Sequence, residues 1–191
     1  MYASTVASSR FIGGLFCLLA VLLTGCAADQ GDGPPLQASA PPSVSCKSGD
    51  PYQHTTLGYH LCFPSGWTSR DYTAEPGAGG AVSVVAFGPS SAVPAHVPAT
   101  GSFMPPIEVK VVAGAKTEQE ASLTQGNQVS QTKVAGIQAD RIKVVEAGPA
   151  NGSVIVVFEH QANTYEIVQA PSGSYDNAFQ LVLDSFGFPA S

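Results

Sequence analysis

The stretch SVIVVFEHQANTYEIVQA, residues 153–170, with its continuation PSGSYDNAFQLVLDSF, residues 171–186, decides the fold. Its first part holds two runs rich in β-branched and aromatic residues, Ser153–His160 and Thr164–Ala170, separated by Gln161-Ala162-Asn163. Such runs around a short polar break read as a β-hairpin, with Phe158 near Tyr165 across the pair. The continuation reads as a helix with Ser174 as N-cap. Tyr175, Ala178, Phe179, Val182, Leu183 and Phe186 fall on one stripe, with Asp176, Asn177, Gln180 and Asp184 opposite. A helix with that stripe must bury it on the sheet that the hairpin begins. The expected class is α+β, a mainly antiparallel sheet with helices packed on it.

Upstream, further strands are expected at Tyr52–Leu57, Val82–Phe87 and Ile107–Ala113. In Tyr59–Phe63, Tyr59, Leu61 and Phe63 face one way and His60 and Cys62 the other. Pro64 stops this strand, and Gly66 permits the turn before Trp67, which reads as a core anchor. Ile137–Glu146 is longer and more polar, which suits an edge or a solvated face. Thr117-Glu118-Gln119-Glu120 has the spacing of a capping box, with Thr117 as N-cap and Glu120 at N3, opening a short, weakly amphipathic helix.

The N-terminus carries an address. MYASTVASSR ends in a lone cation, Arg10, and Phe11–Leu23 is apolar throughout. That run is shorter than the roughly 20 residues needed to cross a bilayer, so residues 1–25 read as a signal peptide. Leu23-Thr24-Gly25-Cys26 resembles the lipobox of bacterial lipoproteins. The resemblance implies cleavage before Cys26, diacylation of that cysteine and stable anchoring, because two acyl chains hold where one binds marginally. Residues 26–45 follow as a lipidated tether. Ala27–Ser45 is small, polar and proline-rich, and would span about 25 Å as a coil or about 60 Å as polyproline II. Residues 46–191 are then one domain held off the extracytoplasmic surface of the cell membrane, or of the outer membrane where the host has one.

Composition bounds the rest. Removing residues 1–25 from 191 leaves 166, enough for one domain. With 44% hydrophobic and 12% charged residues, the chain can build a core. Its formal charge of −6 becomes −7 when Arg10 leaves, and the other cations form no basic run. Nucleic acid is therefore not an expected partner.

Cys17 leaves with the signal peptide and Cys26 takes the lipid, so Cys46 and Cys62 remain. An even pair in an oxidising compartment reads first as a disulfide. Two buried thiols are the alternative. His54 and His60 lie between the cysteines and admit a metal, but the spacing C-x7-H-x5-H-x-C matches no zinc pattern, and no metal or cofactor is expected.

Tyr59-His60-Leu61-Cys62-Phe63-Pro64-Ser65-Gly66-Trp67 resembles the opening of PsbP-like domains, a strand followed by Pro-x-Gly-Trp. Val134-Ala135-Gly136 is similar to that family's central turn. Val154–Val168, with Phe179-x-x-Val182-Leu183-x-Ser185-Phe186, resembles its C-terminal end. The likeness spans residues 50–188 and includes DcrB-type bacterial lipoproteins. It implies an α-β-α sandwich and a role in assembly or binding rather than catalysis.

The chain shows no Gly-x-Ser-x-Gly elbow, no phosphate-cradling glycine loop and no His-Glu-x-x-His, so no catalytic residue is assigned. Glu159 and Glu166 sit on the two hairpin strands and are read as facing opposite ways. His60 reads as half-buried against a backbone group, and His160 as a solvent-facing strand end. Gly88–Pro106, GPSSAVPAHVPATGSFMPP, is long for a loop within a domain and reads either as a floppy insertion or as a candidate binding loop, through His96, Phe103 and Met104. A copper site from His96 and Met104 is set aside, because the mature chain has no other methionine. With no core duty evident for the loop, replacing His96–Met104 with a short Gly-Ser turn is expected to leave the melting temperature nearly unchanged but to remove partner capture. The leading expectation is a membrane-anchored, non-catalytic binding or assembly module that meets an envelope protein. A carrier of a small apolar ligand and an envelope hydrolase are the alternatives.

Overall fold

The computed structural model describes residues 45–98, 103–171 and 173–189. Residues 1–25, read as a signal peptide, Cys26, the expected lipidation position, and the expected tether through residue 44 lie outside the described residues. Among these, the elements are β1 (Asp50–Gln53), β2 (His60–Phe63), β3 (Thr68–Asp71), β4 (Ser83–Gly88), β5 (Ile107–Ala113), α1 (Lys116–Thr124), β6 (Gln128–Val134), β7 (Ile137–Lys143), β8 (Val154–His160), β9 (Asn163–Gln169) and α2 (Asp176–Ser185). β1 and β2 form a ribbon. The other seven strands form one sheet in the order β3-β4-β5-β9-β8-β7-β6. Every neighbouring pair is antiparallel, so the class is α+β as expected.

The hairpin β8–β9 sets the register at the centre of the sheet. Phe158 stands opposite Tyr165, with the rings stacked at 5.3 Å. Its turn is Gln161-Ala162 alone, both at positive φ (49° and 60°), while Asn163 already pairs with His160. Two left-handed residues match the right-handed twist of the strands they join. The turn Ala135-Gly136 repeats this geometry between β6 and β7 (φ 52° and 78°).

The two faces of the sheet are covered differently. On one face, Val85, Phe87, Val109, Val156, Phe158 and Ile167 pack under β2 and α2 in a single core. Phe179 and Val182 of α2 are buried there, and Trp67 packs at its margin, edge-on to Tyr175 at 5.8 Å. The Cys62 amide donates to Ser185 Oγ at 2.8 Å, which ties β2 to α2. The opposite face carries two separate clusters. Ile142, Ile155 and Val157 pack with Leu123 of α1. Tyr72, Ala78, Val84, Ala86 and Val93 form the other, beneath the segment that follows β4. β4 is consequently buried along its whole length, which fits its nearly unbroken apolar run.

Several expectations are corrected. Ile137–Glu146 is not an edge: the strand ends at Lys143, and β6, which carries little apolar periodicity, pairs outside it. β3, equally polar, forms the other edge. The first strand ends at Gln53, because His54 turns the chain. Thr117 does not cap α1. That helix starts two residues earlier, at Lys116 behind the N-cap position Ala115, and its Lys116 amide donates to Glu159 of β8 at 3.1 Å, so the cap comes from the sheet. Ser174 is not at the N-cap of α2 either. It lies in a 3-10 turn, Gly173–Tyr175, that moves the start to Asp176, whose carboxylate offsets the positive helix end.

Cys46 and Cys62 are joined, with Cα atoms 5.9 Å apart. The bond fastens the start of the domain to β2. A loop of this length is worth about 3 kcal/mol in the chain-entropy model. The double replacement Cys46→Ala, Cys62→Ala is expected to lower unfolding free energy by about that amount. Urea denaturation of the oxidised and replaced proteins measures it, and equal midpoints would show a bond without stabilising effect.

Candidate functional site

The segment after β4 folds back over the sheet rather than standing away from it. Gly88 permits the return, since a Cβ there would lie 2.7 Å from Pro106 Cγ and 2.9 Å from Val93 Cγ2. Val93 is fully buried. Arg70 Nε donates to the Val93 carbonyl at 3.1 Å, and the Tyr72 hydroxyl donates to the Pro94 carbonyl at 2.5 Å. Phe103 meets the Tyr72 ring edge-on at 5.5 Å. The expectation of a loop without core duty is therefore overturned. Its apolar side chains close one of the two clusters on this face.

Between this segment and the sheet lies an open cleft of about 540 Å³. Tyr72, Val84, Val97 and Phe103 give it apolar and aromatic walls, and Glu75 and Glu108 supply carboxylates. Glu108 alternates with Ile107 and Val109 on β5, so the sheet's pleat turns it away from the main core and into the cleft. Burial raises its carboxyl above the ordinary range, Lys110 opposes the rise and Glu166 adds to it. Lys110 itself lies 3.8 Å from Glu166.

The three loop residues singled out from sequence are not brought together. Phe103 lines the cleft. His96 is exposed, and its Nδ1 lies 2.9 Å from Glu75 Oε1. Met104 is turned toward the start of β8, where its sulfur accepts from the Oγ of Ser153, the residue before that strand, at 3.6 Å. Sequence reasoning missed Tyr72, Glu75, Val97 and Glu108. The one available signal was Glu108, a carboxylate interleaved with β-branched residues.

The other candidates for chemistry are occupied. Glu159 and Glu166 do not face opposite ways. Each is one residue from the Phe158–Tyr165 pair, which puts both on the face opposite that pair. They act separately even so, Glu159 accepting from the α1 amide and Glu166 lying beside Lys110. His160 does not simply face solvent but stacks on Phe188 at 3.7 Å. The ring of His60 is half-buried and lies so close to Gly187 that a Cβ there would be 2.6 Å from its Nε2.

His54 and Ser83 are both buried, with Nε2 and Oγ 3.0 Å apart, the spacing of a nucleophile and its base. The tautomer rules this out. His54 Nδ1 accepts from the Thr56 and Leu57 amides at 3.3 and 3.1 Å, so the proton sits on Nε2 and His54 donates to Ser83. A histidine in that state cannot take the serine proton.

The same geometry has a pH consequence. Burial lowers the His54 pKa below its ordinary 6.5, and Asp71 opposes this only in part. The unfolded chain therefore binds more protons below pH 6.5 than the folded one. Stability from this group is fully present above that value and lost as pH falls below it. His54→Gln is expected to flatten the loss between pH 7.5 and pH 5. Urea midpoints of both proteins at the two pH values test this, and parallel losses would rule it out.

Among the described residues, no group of three or more His, Cys, Asp or Glu is arranged to hold a metal ion. No protein-family model matches the chain, and no curated protein matches it. Among solved structures, the chain is similar to the solution structure of cyanobacterial PsbP (CyanoP) from Synechocystis sp. PCC 6803, at 16% identity and a TM-score of 0.45, covering 80% of this chain and 99% of that one.

Proposed function

We propose that the mature chain is a non-catalytic binding module of the cell envelope, anchored by lipid at Cys26, and that the cleft beneath the segment after β4 is its binding site. The observation that carries this is the cleft itself. Its volume of about 540 Å³ falls in the range of ligand pockets, and apolar walls with a few polar groups are the usual lining of such sites. The Cys46–Cys62 disulfide fits an oxidising compartment outside the cytoplasm. A ligand lying in the cleft would make the module a small-molecule carrier or sensor held near the membrane by its tether. An envelope protein as partner is the second reading, favoured by the exposed side chain of His96 beside the cleft. The tautomer of His54 removes the His54–Ser83 pair as the nucleophile and base of a hydrolase.

The reading is tested on lipoprotein extracted from membranes. Native mass spectrometry should detect a small molecule bound to the wild type and absent from Val97→Trp, whose indole would fill the cleft. Retention of the same molecule by Val97→Trp would move the site elsewhere. The anchor is tested separately: Cys26→Ser should leave the membrane fraction, and its retention there would refute lipid attachment.

A further inference from the structure

Resting on that reading of the cleft, we infer that its ligand is a small organic cation with an apolar body, with Glu108 as the counter-ion. Among the described residues, two carboxylates line the cleft and no Lys or Arg does. Glu75 is engaged by His96 at 2.9 Å. Glu108 has no hydrogen-bond or ion-pair partner among the described residues, and Lys110, on the same strand, lies beside Glu166. The cleft thus holds a half-buried carboxylate that no cation pairs directly, Lys110 acting on it only from outside the lining, in a wall that is largely apolar. Removing a carboxylate from water without a partner is unfavourable, and a cation placed beside it offsets that cost.

The aromatic groups point to the same ligand. Tyr72 and Phe103 line the cleft, and the Tyr72 hydroxyl is already spent on the Pro94 carbonyl. Tyr72, 3% exposed, therefore has no donor to give, and the aromatic surface open to the cleft comes mainly from the half-buried Phe103. Ring faces attract cations within about 6 Å, and Arg or ligand ammonium groups exploit this. Val84 and Val97 would take the apolar body of the ligand. An anionic ligand would meet Glu108 and Glu75 with no compensating cation in the described lining.

The probe is benzyltrimethylammonium, with phenylacetate as a comparator of similar size and opposite charge. Both are titrated into the mature chain carrying Cys26→Ser, by calorimetry with amide chemical shifts to locate the site. Benzyltrimethylammonium should bind saturably and shift Val97, Phe103 and Glu108, phenylacetate should not, and Glu108→Gln should weaken the cation by about tenfold. Phenylacetate binding at the cleft as tightly as the cation would overturn the charge assignment and leave the cleft as a site. The charge assignment fails equally if Glu108→Gln, with an unchanged melting temperature, binds the cation as tightly as the wild type. If neither probe shifts cleft residues, both the inference and the cleft as a small-ligand site fail. The comparison of the two probes on the wild-type domain holds even if Glu108→Gln does not fold.

Discussion

Replacing Ala92–Val97 with a Gly-Ser turn is expected to destabilise the domain by about 4 kcal/mol and to lower its melting temperature by roughly 10 °C. The magnitude is built from three losses. Val93 is fully buried against Val84 and Ala86, and removing such a side chain forfeits about 2 kcal/mol. The Tyr72 hydroxyl loses the Pro94 carbonyl and Arg70 loses the Val93 carbonyl, at about 1 kcal/mol each. A glycine-rich replacement adds chain entropy to the unfolded state, which acts in the same direction. Thermal melts of the two proteins measure the effect. A change within a degree or two would show that the segment only rests on the sheet, as its proline-rich composition suggests. On this expectation the segment is not a dispensable appendage, so the proposed binding is probed by single side-chain changes that weaken it, such as Glu108→Gln, rather than by excisions.

The legible parts of this fold are those with strong apolar patterns. β5 alternates and α2 carries a stripe, each burying one face against the large core, whereas β8 and β9 are buried on both faces and read as nearly continuous apolar and aromatic runs. The edges were not legible. β3 reads TSRD and β6 reads QVSQTKV, because an edge strand meets water and has little reason to alternate. Helix starts failed for a different reason. Thr117 and Ser174 are good local caps, but a carboxylate from a distant strand and a preceding 3-10 turn replaced them. The shared face of Glu159 and Glu166 was within reach of the sequence, since parity from the Phe158–Tyr165 pair fixes it. The cleft was not. It exists only because Gly88 lets the chain return over Tyr72 and Val84, and no local pattern encodes that return.

The polar anchor of α1 supports the second large prediction. Asp140 of β7 is 2% exposed and accepts from the ammonium of Lys116 and the side-chain amide of Gln131. Burial pushes its carboxyl up, but these bonds outweigh burial and hold it below the ordinary aspartate range. Lys116 also lies 3.7 Å from Glu120 on the next turn of the helix. α1 has a weak apolar face, with Leu123 as its contact to the cluster of Ile142, Ile155 and Val157, so this anchor supplies much of its attachment. Asp140→Ala leaves the Lys116 ammonium, only 23% exposed, without its closest partner. Breaking such a pair costs about 3 kcal/mol or more, whereas replacing both members by apolar groups of similar size is often neutral. The expected pattern is a loss of about 3 kcal/mol in Asp140→Ala and a loss under about 1 kcal/mol in Lys116→Met with Asp140→Leu. Gln131 is exposed and can turn to water in the double variant. Urea denaturation gives the energies, and amide exchange in residues 116–124 reports whether α1 detaches first. Equal losses in the single and double variants would show that packing around Asp140, rather than the unpaired charge, sets the cost.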